Sequence, residues 1–377
     1  MLSIHWFLPT GGDSREVVPA SPDAHRRAPT LPYLAQVAQA AEQLGFDGLL
    51  TPCGTACEDA WVATAMLIGL TSRIRFLVAF RPGLLSPTLA AQMASTYQRL
   101  SGGRLLLNVV TGAEASELAR FGDWADKDAR YARTAEFLEV LEGSWNDEPF
   151  DFDGDHYRVA RATTRAAPNP RPEVYFGGAS AAAEAVAARW VDVYLAWGEP
   201  PAMVADRVER VRQLARSHGR SMRFGIRFHV ITRPTAAAAW QAASQLIEGM
   251  EPEAIAAARA DFASTESEGQ RRMATLHDAA EQRGDDVRSL EVHPNVWAGV
   301  GLVRGGAGTA LVGSHEEVAD RIVEYHDLGF DEFILSGYPH LEEAFWVGEG
   351  VLPMLADRGL IARPGQSQAP APVSTFR

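Results

Sequence analysis

Lysine is nearly missing from this chain of 377 residues: among its 35 basic side chains only Lys127 is a lysine, and the others are arginines. A pyridoxal Schiff base, a lysine nucleophile or a phosphate-loop lysine would all have to be Lys127, in the polar stretch Asp126-Lys127-Asp128. No G-x-x-x-x-G-K-[ST] occurs, which removes the P-loop nucleotidases. Cysteine is scarce too. Cys53 and Cys57 cannot make a disulfide framework, and with no further Cys and no His nearby they make a weak metal site. The longest apolar stretch, around Ala60 to Leu70, is about half a membrane span. The N-terminus, Met1-Leu2-Ser3-Ile4-His5-Trp6, has no basic or signal-type segment. Positive charge is in deficit: 48 acidic groups give a formal net charge of −13, against broad binding of nucleic acid or anionic membrane. The expectation is a soluble cytoplasmic protein with no nucleic-acid or membrane partner. Its strongly basic sites must be built from arginine, whose planar fork suits phosphate, sulfonate or carboxylate.

What is present is a regular alternation. Leu2–Pro9, Asp47–Pro52, Ile74–Phe80, Leu105–Thr111, Val174–Gly177, Val191–Trp197, Phe224–Ile231 and Glu332–Ser336 read as strands. Between them lie helical stretches such as Leu31–Leu44, Pro87–Leu100, Arg130–Trp145, Ala181–Trp190 and Ala202–His218. Ser86-Pro87 is a good helix start, and Ser314-x-x-Glu317 fits a capping box. Eight strands alternating with helices predict an α/β fold, a closed (β/α)8 TIM barrel forming one domain over residues 1–362. An open doubly wound sheet is the alternative, because periodicity cannot count closure. Three stretches break the pattern. Residues 149–159 read as an inserted hairpin, and 250–312, first helical and then glycine-rich, as a mobile lid after the seventh strand–helix unit. The tail, 363–377, reads as disordered.

The most informative segment is Phe224-Gly225-Ile226-Arg227-Phe228-His229-Val230. Alternation puts Gly225, Arg227 and His229 on one face. Parallel barrel strands are normally apolar on both faces, so Arg227 and His229 need a reason. One is a structural ion pair with acids on neighbouring strands; the other is an anion-binding arginine beside a titratable group at the catalytic mouth. Cys57 is either a small buried hydrophobe or a thiol near a reactive cofactor. Phe176-Gly177-Gly178-Ala179-Ser180 is either a tight strand–helix turn or a phosphate cradle at a helix N-terminus. Arg304, among glycines, is either a solvated side chain or a cation carried on a mobile loop. Gly299-Val300-Gly301 and Gly306-Ala307-Gly308 fail as dinucleotide fingerprints, having Arg304 and Leu311 at the sixth position. Asp151, Asp153 and Asp155 fail as a calcium loop, with glycine at position four and Ala162 at twelve. Tyr338 follows the eighth strand and could donate a proton or cap the barrel. Trp197 ends the sixth, where packing is its ordinary role. No G-x-S-x-G supports a serine hydrolase.

Taken together, these segments resemble the bacterial luciferase-like superfamily, and within it the alkanesulfonate monooxygenases. The resemblance covers about residues 1–362 and is carried by Ala56-Cys57-Glu58-Asp59-Ala60-Trp61, Phe76 to Pro82, Asn108-Val109-Val110-Thr111-Gly112 and Tyr175-Phe176-Gly177-Gly178. Tyr194 to Pro201, Phe224 to Val230, Asn295 to Gly313 and Leu335 to Glu343 complete it. It implies a two-component enzyme: an NAD(P)H-dependent FMN reductase supplies FMNH2, and the protein uses O2 to convert a small anionic alkanesulfonate into an aldehyde and sulfite. It places Cys57 near the flavin, Arg227 and His229 at the reacting centre, Arg304 on the lid and Tyr338 at the pocket, with Trp197 lining the substrate side. Asn108 and Thr111 would lie beside the flavin ring, and Tyr131, Gly177, Gly178 and Ser180 would hold its phosphate. No metal is implied, and a homo-oligomer, dimer or tetramer, is expected. Where the family commonly shows Pro-Thr-His-Gly-Asp, this chain has Pro9-Thr10-Gly11-Gly12-Asp13; the lost imidazole bears on substrate choice and proton handling. The alternatives are a sibling acting on methanesulfonate, a sulfone or another small organosulfur compound, and a non-catalytic flavin-binding subunit.

Overall fold

Eight parallel strands close on themselves: β1 (Ser3–Phe7), β2 (Gly48–Thr51), β3 (Arg75–Phe80), β4 (Leu105–Val109), β5 (Val174–Gly177), β6 (Val193–Trp197), β7 (Arg223–Arg233) and β8 (Glu332–Ser336). Each pairs with its neighbour in sequence order, and β8 returns to β1 with Ser3 opposite Glu332 and Trp6 opposite Leu335. The computed structural model describes residues 1–17, 26–112, 114–248, 250–263, 265, 267–281 and 286–363. The tail from residue 364, expected to be disordered, lies outside them. Among the described residues no helix is long and apolar enough to cross a membrane.

Helices follow the strands because the sequence supplies their starts and stops. Thr30, Ser86, Asp126 and Ser180 each cap a helix by accepting a backbone N–H, and Ser314 with Glu317 forms the full capping box. The hydrophobic face of each helix seals the outside of the sheet: Phe224, Ile226, Phe228 and Val230 of β7 all belong to that outer core. Phe7, Leu50, Leu77, Leu106, Tyr175, Val193 and Ile334 fill the barrel itself. The inward column of β7 is therefore Arg223, Gly225, Arg227 and His229, as the alternation demands.

Two findings modify the sequence reading. The hairpin spans two strands, Phe150–Asp153 and Arg158–Ala162. The segment 250–312 is more structured than a helical stretch followed by a glycine loop. It holds helices Pro252–Ala263 and Glu268–Glu281, then Glu291–His293, Val296–Trp297 and Ala310–Ser314 as added strands. Ala310–Ser314 pairs in parallel with the last five residues of β7, from His229 to Arg233, which is why β7 runs past Ile231. A run of three apolar residues, Ala310 to Val312, among glycines carries little periodicity, so only the long-range ladder reveals it as a strand.

At the N-terminal end of the barrel, Glu332 is fully buried. It accepts from the Tyr175 hydroxyl at 2.7 Å, meets His5 Nε2 at 3.0 Å and pairs with Arg223 at 2.5 Å. Burial alone would raise its carboxyl, but His5, Arg223 and Tyr175 together hold it below the usual glutamate value of 4.5. A depressed folded value means stability that is fully present above the ordinary value and lost as pH falls through the lower, folded one. Acid unfolding should therefore include a component below about pH 4.5 that Glu332→Gln removes. The same variant should lose about 3 kcal/mol at neutral pH in denaturant melts, the lower end for a broken buried pair, since Arg223 keeps Glu173 as a partner. Wild-type stability in that variant would contradict the network's role.

Candidate active site at the barrel mouth

One cavity of about 290 Å³ opens at the C-terminal end of the strands, where barrel sites lie. Asn108, Thr111, Tyr131, Gly177, Gly178, Ser180, Trp197 and Arg227 all line it. Sequence reasoning drew these residues from four strand ends and, for Tyr131, one helix, and the fold brings them together. Arg227 sits level with Trp197 and Ile334 in the ladder, at the height where the apolar filling of the barrel stops.

The β5 turn is shaped for close approach. A Cβ at Gly178 would stand 2.5 Å from the Ala183 side chain and 3.3 Å from the Tyr131 hydroxyl, so only glycine leaves that corner open. Ser180 Oγ accepts from Ala183 N at 3.3 Å, starting the helix Ala181–Trp190 at the cavity wall. Lys127 and Arg130, from the first turn of the helix Lys127–Gly143, line the same end. Neither was singled out from sequence as a ligand-binding group, although Lys127 was the one lysine available. Glu199, almost fully buried, is shared by Arg207 at 2.7 Å and by both ends of the Arg272 fork at 3.1 and 2.7 Å. That leaves this wall net positive. Trp197 packs against Met273, Leu276 and Ala298 of the inserted segment, which thereby covers the cavity.

Above the barrel filling, two guanidiniums gather on one phenyl ring. Arg227 lies 4.7 Å from the Phe7 centroid and Arg304 lies 5.8 Å from it. Arg304 also donates to the Tyr338 hydroxyl. Among the described residues neither arginine has a carboxylate partner. The structural ion-pair reading of Arg227 is thereby excluded. So is the solvated reading of Arg304, whose loop is pinned by Gly301 N to Gly308 O at 2.8 Å and by Gly306 N to Gln270 Oε1 at 2.8 Å. Burial, with Arg304 alongside, pushes the Arg227 guanidinium down to about 9, and burial lowers Arg304 as well. Both remain cations at neutral pH, held without a counter-ion.

His229 and Tyr338 face a second cavity of about 450 Å³, behind this pair. Their rings stack at 5.4 Å, and His229 Nδ1 lies 2.9 Å from Ser336 Oγ. Burial, then the charges of Arg304 and Arg227, keep His229 neutral. Cys57 lies in the loop after β2 and lines neither cavity. Burial pushes its thiol up, so it is not a thiolate. A Cβ on Gly11 would stand 2.9 Å from the Ala56 carbonyl oxygen and 3.7 Å from Cys57 Sγ, so this loop is folded around a missing side chain. Sequence reasoning missed Asp13 and His340. They are joined at 2.8 Å across 327 positions, and their only local signal was membership in two quoted motifs.

The family model for luciferase-like monooxygenases matches residues 2–332. The chain belongs to that family. Among solved structures, this luciferase-like monooxygenase is similar to riboflavin lyase, solved with a modified FMN and its substrate riboflavin, at TM-score 0.81 and 22% identity over 98% of this chain and 94% of that one. It is also similar to EDTA monooxygenase from Chelativorans sp. BNC1, at TM-score 0.76 and 21% identity over 98% and 96%. DmoA from Hyphomicrobium sulfonivorans matches at TM-score 0.77 and 21% identity over 95% and 88%. At these identities the structural likeness establishes the shared barrel alone.

A pair of cations without counter-ions costs folding energy. Arg227→Met should therefore stabilise the ligand-free protein, by about 1 kcal/mol or more in denaturant melts. A destabilised Arg227→Met protein would show that the arginine is structural after all.

Proposed function

We propose that this luciferase-like monooxygenase is a two-component, FMNH2-dependent alkanesulfonate monooxygenase releasing an aldehyde and sulfite. The observation that carries the reading is Arg227 in the cavity wall with Arg304 beside it on Phe7, neither with a carboxylate partner among the described residues, while Gly178, Ser180, Tyr131, Lys127 and Arg130 line the same cavity. A sulfonate is permanently anionic and offers only acceptor oxygens, which two guanidinium forks satisfy with charge-assisted hydrogen bonds.

The residues present fit FMN. Gly178 leaves the corner that a Cβ would fill, and Ser180, Tyr131, Lys127 and Arg130 surround it with donors for a phosphate. Asn108 and Thr111 line the path from there to Arg227, where the ring would lie. Reduced FMN, supplied by a separate NAD(P)H-dependent reductase, brings the electrons with which O2 is activated. The protein's own contribution is position and dryness. Arg227 and Arg304 orient the sulfonate over Phe7. Trp197 and the helix Glu268–Glu281 close off water, and the Arg304 loop acts as the lid. Cys57 offers a neutral thiol, and His229 and Tyr338 fix the wall against which Arg304 rests.

A second reading, a sibling acting on methanesulfonate, a sulfone or another small organosulfur compound, is favoured by Gly11, because no imidazole can occupy that position beneath Ala56. One experiment separates the readings. The protein is given enzymatically reduced FMN and alkanesulfonates of one to ten carbons alongside dialkyl sulfones, and sulfite is measured. Sulfite from the longer sulfonates is expected; none from any sulfonate would overturn the proposal, and a flavin-binding subunit would turn over nothing. Arg227→Ala should lower turnover at least about 100-fold, the scale for removing a fixed charge that meets developing charge, while FMNH2 affinity stays within a few-fold. Tryptic cleavage within 250–312 should slow when reduced flavin is bound; an unchanged rate would rule out lid closure.

A further inference from the structure

Asp13 and His340 meet beside the arginine pair, in contacts the chemistry above does not use. Asp13 is buried and accepts from the His340 backbone N–H at 3.1 and 2.9 Å, from the His340 ring at Nδ1 at 2.8 Å and from the Tyr33 hydroxyl. Burial alone would raise its carboxyl, but these hydrogen bonds outweigh it and keep the group ionised. An ionised carboxylate only accepts, so Nδ1 must carry the ring proton. Nε2 is then a bare lone pair, buried and without a hydrogen-bond partner among the described residues. The ring lies 5.2 Å from Phe7 and 5.5 Å from Tyr338, the two rings that carry Arg227 and Arg304. Burial, with both guanidiniums adding to it against Asp13, keeps the imidazole neutral. A buried acceptor left without a donor is costly, and beside two unpaired guanidiniums it calls for a partner.

We propose that Asp13 is a positioning residue: it fixes His340 in the tautomer whose Nε2 lone pair faces the anion held by Arg227 and Arg304, where it serves as a base. The proposal rests on the desulfonation reading. Oxygen inserted at the α-carbon leaves a 1-hydroxyalkanesulfonate, and its collapse needs a base for the hydroxyl proton. As Nε2 takes that proton, the O–H electron pair becomes the second C–O bond and the C–S pair leaves with sulfur as sulfite. One negative charge and a neutral ring thus become a doubly charged sulfite, a neutral aldehyde and a singly charged imidazolium. Sulfite gains its charge beside two guanidiniums, and the imidazolium forms on the Asp13 carboxylate. Fixed opposite charge meets both.

Two arms test this. In the first, histidine-labelled, flavin-free protein is followed by 15N NMR, with the His340 signal assigned by its loss in His340→Gln. The ring should be neutral and protonated at Nδ1 from about pH 6 to 8, and 1-octanesulfonate should shift its Nε2 resonance. Asp13→Asn, whose amide can turn an N–H toward Nδ1, should move the proton to Nε2. In the second arm kcat should fall about 100- to 10,000-fold in Asp13→Asn, with KM for 1-octanesulfonate changed less than about threefold. The Asp13→Asn/His340→Gln double variant should be no slower than His340→Gln alone. Wild-type His340 protonated at Nε2, a ring unmoved by octanesulfonate, or near-normal kcat in a folded Asp13→Asn would each overturn the proposal. A wild type that releases no sulfite would instead sink the desulfonation reading and the base role built on it. The NMR arm would still decide the tautomer and the direction Nε2 faces.

Discussion

Two guanidiniums resting on one phenyl ring, with no carboxylate among the described residues to neutralise them, is the arrangement around which the site is organised. Each is a half-buried charge with no carboxylate beside it among the described residues, which costs folding energy. A fold tolerates it only where the rest of the core is secure. Here the barrel filling below Arg227 is wholly apolar apart from the Glu332 network at the far end, where the charges are paired. The same β7 column thus carries a satisfied arginine, Arg223, at the bottom and an unsatisfied one, Arg227, at the top. The difference in their surroundings separates stability from ligand binding along a single strand.

The global charge and the local charge point in opposite directions, and both matter. A net charge of −13 keeps polyanions away from the surface. Lining the mouth cavity, Lys127 and Arg130 supply positive charge beside the Gly178 turn and Arg227 supplies it from β7, with Arg304 on the Phe7 ring beside Arg227 but outside the cavity lining. A small ligand set with one anionic group at each place fits this better than one large anion. Glu199, held between Arg207 and Arg272, tempers the field between them.

Much of this was legible in the sequence because it is periodic or local. The eight strands came from alternation and from turn residues at their ends, and the inward direction of Arg227 and His229 followed from the two-residue repeat of β7 alone. Ser180 and Gly178 could be read as a possible cradle because capping and close approach are local chemistry. What periodicity could not carry was contact between distant segments. The strand Ala310–Ser314 is recognisable only by its partner β7. The Asp13–His340 pair needs closure of the barrel to bring its members together, and whether Arg227 had an acid beside it was open until β6 and β8 were set against β7. The loop built around Gly11 belongs to the same class, since its meaning lies in the Ala56 carbonyl opposite.

The central claim is that the unpaired arginines exist to receive a small organic anion, and calorimetric titration of the flavin-free protein tests it most directly. 1-Octanesulfonate should bind, more weakly as salt is added, and lose at least about tenfold in affinity in Arg227→Ala, equivalent to 1.4 kcal/mol. Methyl octyl sulfone, with the same chain and no charge, should bind far less well. Equal affinity for the sulfonate and the sulfone, or sulfonate binding untouched by loss of Arg227, would contradict the account.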